Sequence, residues 1–157
     1  ESLMAGNIEA RLAELEIELP EAPAPAANYV PYVVVGDMVY ISGQISKDAG
    51  GLIRGKLGDD TSVEQGAAAA RVCGLNLIAQ LREACGGDLD RVVQIVKLGG
   101  FVNATADFTN HPVVINGASD LMAEVFGKLG AHARAAVGCS SLPLGVAVEV
   151  EGIFQIS

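Results

Sequence analysis

Positive charge is scarce in this chain: ten Lys and Arg stand against nineteen Asp and Glu, giving a net charge of −9 and a sequence pI near 4.5. Such a molecule repels nucleic acid and anionic membranes on average, so neither is an expected partner. Cysteine is scarce as well. Cys73, Cys85 and Cys139 form no CxxC pair, and an odd number of thiols cannot close into a complete internal disulfide set, which fits a reducing, cytoplasmic setting. The two histidines, His111 and His132, lie far from those cysteines and without zinc spacing, so no metal centre is expected. No apolar run reaches the roughly 18 residues of a membrane span, and no signal-peptide pattern opens the chain. The glycine-rich GxGxxG and P-loop signatures, HExxH and GxSxG are all missing, which removes the dinucleotide, P-loop, zincin and α/β-hydrolase chemistries in their usual form.

What remains is a chain of 157 residues, half of them hydrophobic. That length buries roughly 70% of the unfolded surface in one domain, without disulfide or metal staples. Glu1-Ser2-Leu3, ahead of Met4, reads as an added leader and is set aside. Residues 1–28 read as an N-terminal extension. Ile8, Leu12, Leu15 and Leu19 suggest a short helix there, and the stretch from Pro20 to Pro31, with Pro23 and Pro25, an extended arm that leads into the next segment. Residues 29–157 form the main domain.

That domain opens with Val33-Val34-Val35 and Met38-Val39-Tyr40-Ile41 flanking Gly36-Asp37, the pattern of a β-hairpin. Glycines 43, 50, 51, 55 and 58 then predict a loop with one short edge strand. Thr61 and Glu64 offer a capping box for a long helix that ends at Gly86-Gly87. Leu89 to Val102 reads as a central strand. Asn110-His111-Pro112 starts a second helix, running to Gly127 or Gly130. Strands over 131–140 and 146–156 close the chain, separated by Leu142-Pro143-Leu144-Gly145. This order predicts an α+β fold, a mixed sheet with two helices packed on one face. The other face, apolar and bare, predicts a homo-oligomer.

One placement is unusual. Arg134 sits among Ala131-His132-Ala133 and Ala135-Ala136-Val137-Gly138, and no Lys or Arg follows it. On a strand it shares a face with His132, Ala136, Gly138 and Ser140, small neighbours that leave room above the sheet. A guanidinium presents a planar fork that matches a carboxylate bidentately. Arg134 therefore either clamps a small organic acid or pairs with a carboxylate of the protein, such as Glu149 or Glu151, or one from a neighbouring subunit. Alternation puts both glutamates on one face of the last strand, as a solvated stripe or as proton-handling groups.

Several short motifs point further: Ser42-Gly43-Gln44, Ile115-Asn116-Gly117, Ala133-Arg134-Ala135, Leu142-Pro143 and Val148-Glu149-Val150-Glu151. With these the chain from about Tyr29 to Ile156 resembles the YjgF/RidA (endoribonuclease L-PSP) family. The resemblance implies a chorismate-mutase-like fold, a homotrimer with ligand clefts between subunits, and hydrolysis of 2-imino or 2-enamino acids to 2-oxo acids and ammonia without a cofactor. By motif matching, Arg134 takes the place of the family's carboxylate-binding arginine and Glu149 that of the glutamate placing the water. Asn116, Ser42 and Gly43 match cleft positions. Tyr32 matches the cleft tyrosine on local motif, with Tyr29 competing. Val30-Pro31-Tyr32 stands where the family has Gly-Pro-Tyr, Ala135-Ala136 replaces a small polar residue and a cysteine, and the N-terminus is extended, features of a longer-chain branch. A non-catalytic trimeric binder of small carboxylates is the alternative function. The ribonuclease of the family's older name is disfavoured by the charge.

Overall fold

The structure is a computed structural model and describes residues 6–25 and 27–157, so the leading tripeptide lies outside the described residues. The expected hairpin forms: β1 (Tyr32–Val35) and β2 (Met38–Ile45) pair antiparallel across the Gly36-Asp37 turn, with Gly36 at φ +61°. The glycine-rich segment holds two short strands rather than one, β3 (Lys47–Asp48) and β4 (Gly51–Leu52), paired only with each other.

Helix α2 covers Val63–Ala84 and stops at Gly86 and Gly87, both at positive φ. Its capping box lies one residue later than Thr61 and Glu64. Ser62 Oγ accepts from the Gln65 N–H, and the Gln65 side chain accepts from the Ser62 N–H. Thr61 is diverted because its hydroxyl donates to Asp60. Strand β5 runs from Val92 to Asn103. It starts three residues later than the apolar run suggests, because Asp88 caps a 3₁₀ turn over Leu89–Arg91. Helix α3 is His111–Phe126, with Pro112 in its first turn as expected, and strands β6 (Ala133–Cys139) and β7 (Val148–Ile156) follow.

The sheet order is β1-β2-β7-β5-β6, antiparallel except for the parallel pair β5–β6, so β6 is an edge strand. Helices α2 and α3 cover one face. Leu77, Ile78, Leu81, Ile115 and Leu121 from the helices meet Ile95, Leu98, Val150 and Phe154 from the strands in one fully buried core. The short helix expected in the N-terminal extension also forms. Helix α1 (Asn7–Glu14) docks outside this layer, its first two N–H groups donating to the Asp90 carboxylate at 2.9 Å each and Arg11 Nε donating to the Glu124 carbonyl at 2.8 Å. The opposite sheet face leaves Val33, Val35, Tyr40 and Val137 exposed.

Close packing of α2 against α3 depends on Gly117, where an added Cβ would collide with the Ala67 carbonyl. Backbone cannot yield as a flexible side-chain tip can. Gly117→Ala is therefore expected to lower stability by about 1–3 kcal/mol, measured by urea unfolding. The contact also seats α3 so that Asn116 and Ser119 reach the β6 edge.

Candidate active site

Arg134 lies on β6, and its register fixes where it points. Leu98 of β5 is directly opposite Arg134 on one side and Gly152 of β7 on the other, and Leu98 is fully buried under the helices. Cross-strand partners share a face, so Arg134 points to the helix side, at its open rim. There its Nη1 donates to Asn116 Oδ1 at 2.8 Å and to Ser119 Oγ at 3.1 Å, and its Nη2 makes a long contact of 3.4 Å with the Pro112 carbonyl. Every one of these acceptors is neutral. Among the described residues no carboxylate lies within 4.0 Å of the guanidinium, and its Nε has no hydrogen-bond partner. The pairing with Glu149 or Glu151 that the sequence left open therefore does not occur within the chain. The positive charge is fixed in position and unneutralised, as an anion site requires.

Glu149 occupies the other face. It is opposite Phe101 of β5, which is opposite the exposed Val137 of β6. Phe101 is three residues from Leu98, so its face is the one that the helices leave open. The Glu149 carboxylate lies over Gly43, where an added Cβ would collide with it. Gly43 falls in an irregularity of the β2–β7 pairing between Ile41 and Gln44, the expected signature of an extra residue in the strand. Beside it, the Ser42 hydroxyl donates to the Val30 carbonyl at 2.8 Å and the Ser42 N–H to the Pro31 carbonyl, tying the arm before β1 to this bulge. Burial pushes the Glu149 carboxyl above the ordinary value of 4.5, and the neighbouring charge of Glu151 adds to the rise.

The sequence-derived residues thus fall into two groups. Arg134 and Asn116 are together, joined by Ser119 and the Pro112 carbonyl; Glu149, Gly43 and Ser42 are together; and within the chain the sheet separates the groups. Tyr32 stands opposite Ile41 and packs against the core, while Tyr29 is exposed. Ser119 escaped the sequence analysis, although its spacing of three from Asn116 places both on one helix face. Two surface depressions, of about 340 Å³ lined by Ile53, Arg54, Asp60 and Gln65 and about 250 Å³ lined by Leu12, Ile17, Leu19 and Arg82, include no member of either group. Among the described residues no cluster of His, Cys, Asp or Glu forms a metal site, and no helix is long and apolar enough to cross a membrane.

Residues 9–153 match the family described as YjgF/chorismate mutase-like endoribonuclease. The chain belongs to the YjgF/chorismate mutase-like family. The resemblance seen in the motifs is thereby established, and the mixed sheet with its helices is that family's α+β fold. The chain is 48% identical over 155 residues to Protein TCP17 of Trypanosoma cruzi, covering 98% of this chain and 96% of that one. A crystal structure of an Agrobacterium tumefaciens protein of unknown function is 43% identical, with a TM-score of 0.88 over 96% of this chain and 92% of the other. A third YjgF relative, the 2-iminobutanoate/2-iminopropanoate deaminase of Dermatophagoides farinae, is 30% identical over 142 residues, 89% of this chain and 94% of its own.

Proposed function

We propose that this YjgF-family protein is a RidA-like deaminase that hydrolyses 2-imino and 2-enamino acids to 2-oxo acids and ammonia, in clefts between the subunits of a homotrimer. The observation that carries the proposal is the guanidinium of Arg134, held by Asn116 and Ser119 with no carboxylate among the described residues beside it. The name of the 30% identical relative supports the same chemistry.

In this reading Arg134 grips the substrate carboxylate through two parallel hydrogen bonds and fixes the position of C2. The Arg134 half of one protomer is closed by the Glu149 half of its neighbour, because the sheet keeps the two apart within a chain. The exposed Val33, Val35, Tyr40 and Val137 supply apolar surface for that seam. With a protonated imine bound, Glu149 takes a proton from water as the water oxygen bonds to C2, giving a neutral carbinolamine. Glu149 returns that proton to the nitrogen and takes up the hydroxyl proton as the C–N bond breaks and the carbonyl forms; the 2-oxo acid leaves, and the remaining proton passes from Glu149 to the departing ammonia, which leaves as ammonium. A protonated imine is already electrophilic, so orientation and proton transfer suffice and no cofactor is called for. Either Tyr32 or Tyr29 walls the cleft beside Ser42 and Gly43.

The test is to generate 2-iminopropionate in situ and follow its decay. Acceleration over the uncatalysed rate is expected. Tight binding of 2-oxobutyrate without acceleration would replace the enzyme with a carboxylate-binding protein built on the same cleft.

The raised carboxyl of Glu149 carries a pH signature. The native state holds this proton more tightly than the unfolded chain, so the associated stability is complete below about pH 4.5 and is lost as pH rises through the higher native value. Glu151→Gln removes the like charge. The limb of the pH–kcat profile governed by Glu149 is then expected to move to lower pH, and an unmoved limb would assign that titration elsewhere.

A further inference from the structure

Arg134 is held by more than the family's asparagine. Two residues earlier, just ahead of β6, His132 places Nδ1 2.6 Å from the Gly130 carbonyl. A carbonyl only accepts, so Nδ1 carries a proton, and in the neutral form of the imidazole Nε2 is then an acceptor. Ser119 Oγ lies 2.8 Å from that Nε2. The serine's single proton is therefore committed to the histidine, and its lone pairs are turned toward Arg134 Nη1 at 3.1 Å. The chain of donors runs one way, from guanidinium to serine to imidazole to the Gly130 carbonyl. Each link sets the direction of the next, and such chains strengthen one another where water is partly excluded. His132, Ser119 and Arg134 are each only partly exposed.

We propose that His132 and Ser119 are positioning residues for substrate binding: by orienting the Ser119 lone pairs they fix the rotation of the Arg134 guanidinium, so that its Nε and Nη2 edge is presented to the ligand carboxylate. Nη1 is held by two acceptors, Asn116 and Ser119, while Nε has no partner among the described residues and Nη2 makes only the long contact to Pro112. That remaining edge is the one that matches the two oxygens of a carboxylate. Neither residue touches the ligand in this arrangement. Without the histidine acceptor the hydroxyl is free to turn its proton toward the guanidinium, and a held arginine becomes a mobile one.

This inference rests on Arg134 being the carboxylate anchor, and the experiment separates the two claims. The probe is 2-oxobutyrate by calorimetry, together with steady-state hydrolysis of 2-iminopropionate. Ser119→Ala and His132→Leu are each expected to weaken 2-oxobutyrate binding and raise KM by about tenfold, the loss of a hydrogen bond to a charged group, with kcat falling less than threefold. Ser119→Thr, which keeps the hydroxyl, and His132→Gln, which keeps an acceptor near the place of Nε2, are expected to restore most of the affinity. A general loss of structure would lower kcat and KM performance together and would not be reversed by these conservative replacements. Ser119→Ala and His132→Leu binding as tightly as wild type, while Arg134→Ala does not bind, would overturn the positioning role and leave the function intact. Arg134→Ala binding as tightly as wild type would overturn both.

Discussion

Replacing Arg134 by alanine is expected to lower kcat/KM for 2-iminopropionate by about 10²–10³-fold, the scale for removing one side of a hydrogen-bonded charge pair. The fold should survive, because Arg134 sits on the open rim of an edge strand and its partners are neutral groups that regain water when it is removed. Arg134→Lys is expected to recover little. An ammonium keeps the charge but is a point donor, so it cannot hold both carboxylate oxygens while satisfying Asn116 and Ser119. The measurement is imine decay alongside 2-oxobutyrate calorimetry. A lysine variant with wild-type kcat/KM would show that charge alone, rather than the fork, is what the site uses.

The second large effect belongs to Glu149. Glu149→Gln preserves shape over Gly43 but cannot take up or return a proton, and a loss in kcat of about 10²–10³-fold is expected with little change in KM. The two variants thus fail in different ways. Arg134→Ala loses binding of the carboxylate, while Glu149→Gln binds and does not turn over. Because burial and Glu151 both hold the Glu149 proton, the neutral glutamine also removes the cost of ionising a half-buried carboxyl. Glu149→Gln is accordingly expected to unfold no more easily than wild type near neutral pH, which separates a chemical loss from a structural one.

Much of the architecture could be read from local signals. The Gly-Asp pair between two β-branched runs defined the hairpin, the glycine pair after Ala84 ended α2, and Pro112 marked the first turn of α3. These are features whose backbone requirements are carried by single residues. Errors arose where two local patterns competed. Thr61 and Ser62 are both capping residues, and only the pull of Asp60 on the Thr61 hydroxyl decides between them. The docking of α1 depends on Asp90, more than eighty residues away, which no periodicity reveals.

The site divides in the same manner. Arg134 was visible as a cation among alanines, and Asn116 and Glu149 through their motifs. The face that each occupies was not visible, because strand parity depends on the parallel register of β5 with β6 and on the break in pairing between Ile41 and Gln44. Two residues matched to one cleft therefore lie on opposite faces of a single sheet. Ser119 was hidden for another reason: a serine within a helix is ordinary, and only the imidazole reaching it from just ahead of β6 distinguishes it.

The arrangement of the two groups leads to the most direct test. Arg134→Ala and Glu149→Gln are combined by co-expressing both chains, so that mixed oligomers assemble at random. If each cleft takes its arginine from one protomer and its glutamate from the next, about a quarter of the clefts in a one-to-one mixture are complete, and about a quarter of wild-type activity should return from two nearly inactive parents. No recovery in oligomers shown to contain both chains would contradict the account, since it would mean that no cleft draws its two halves from different protomers.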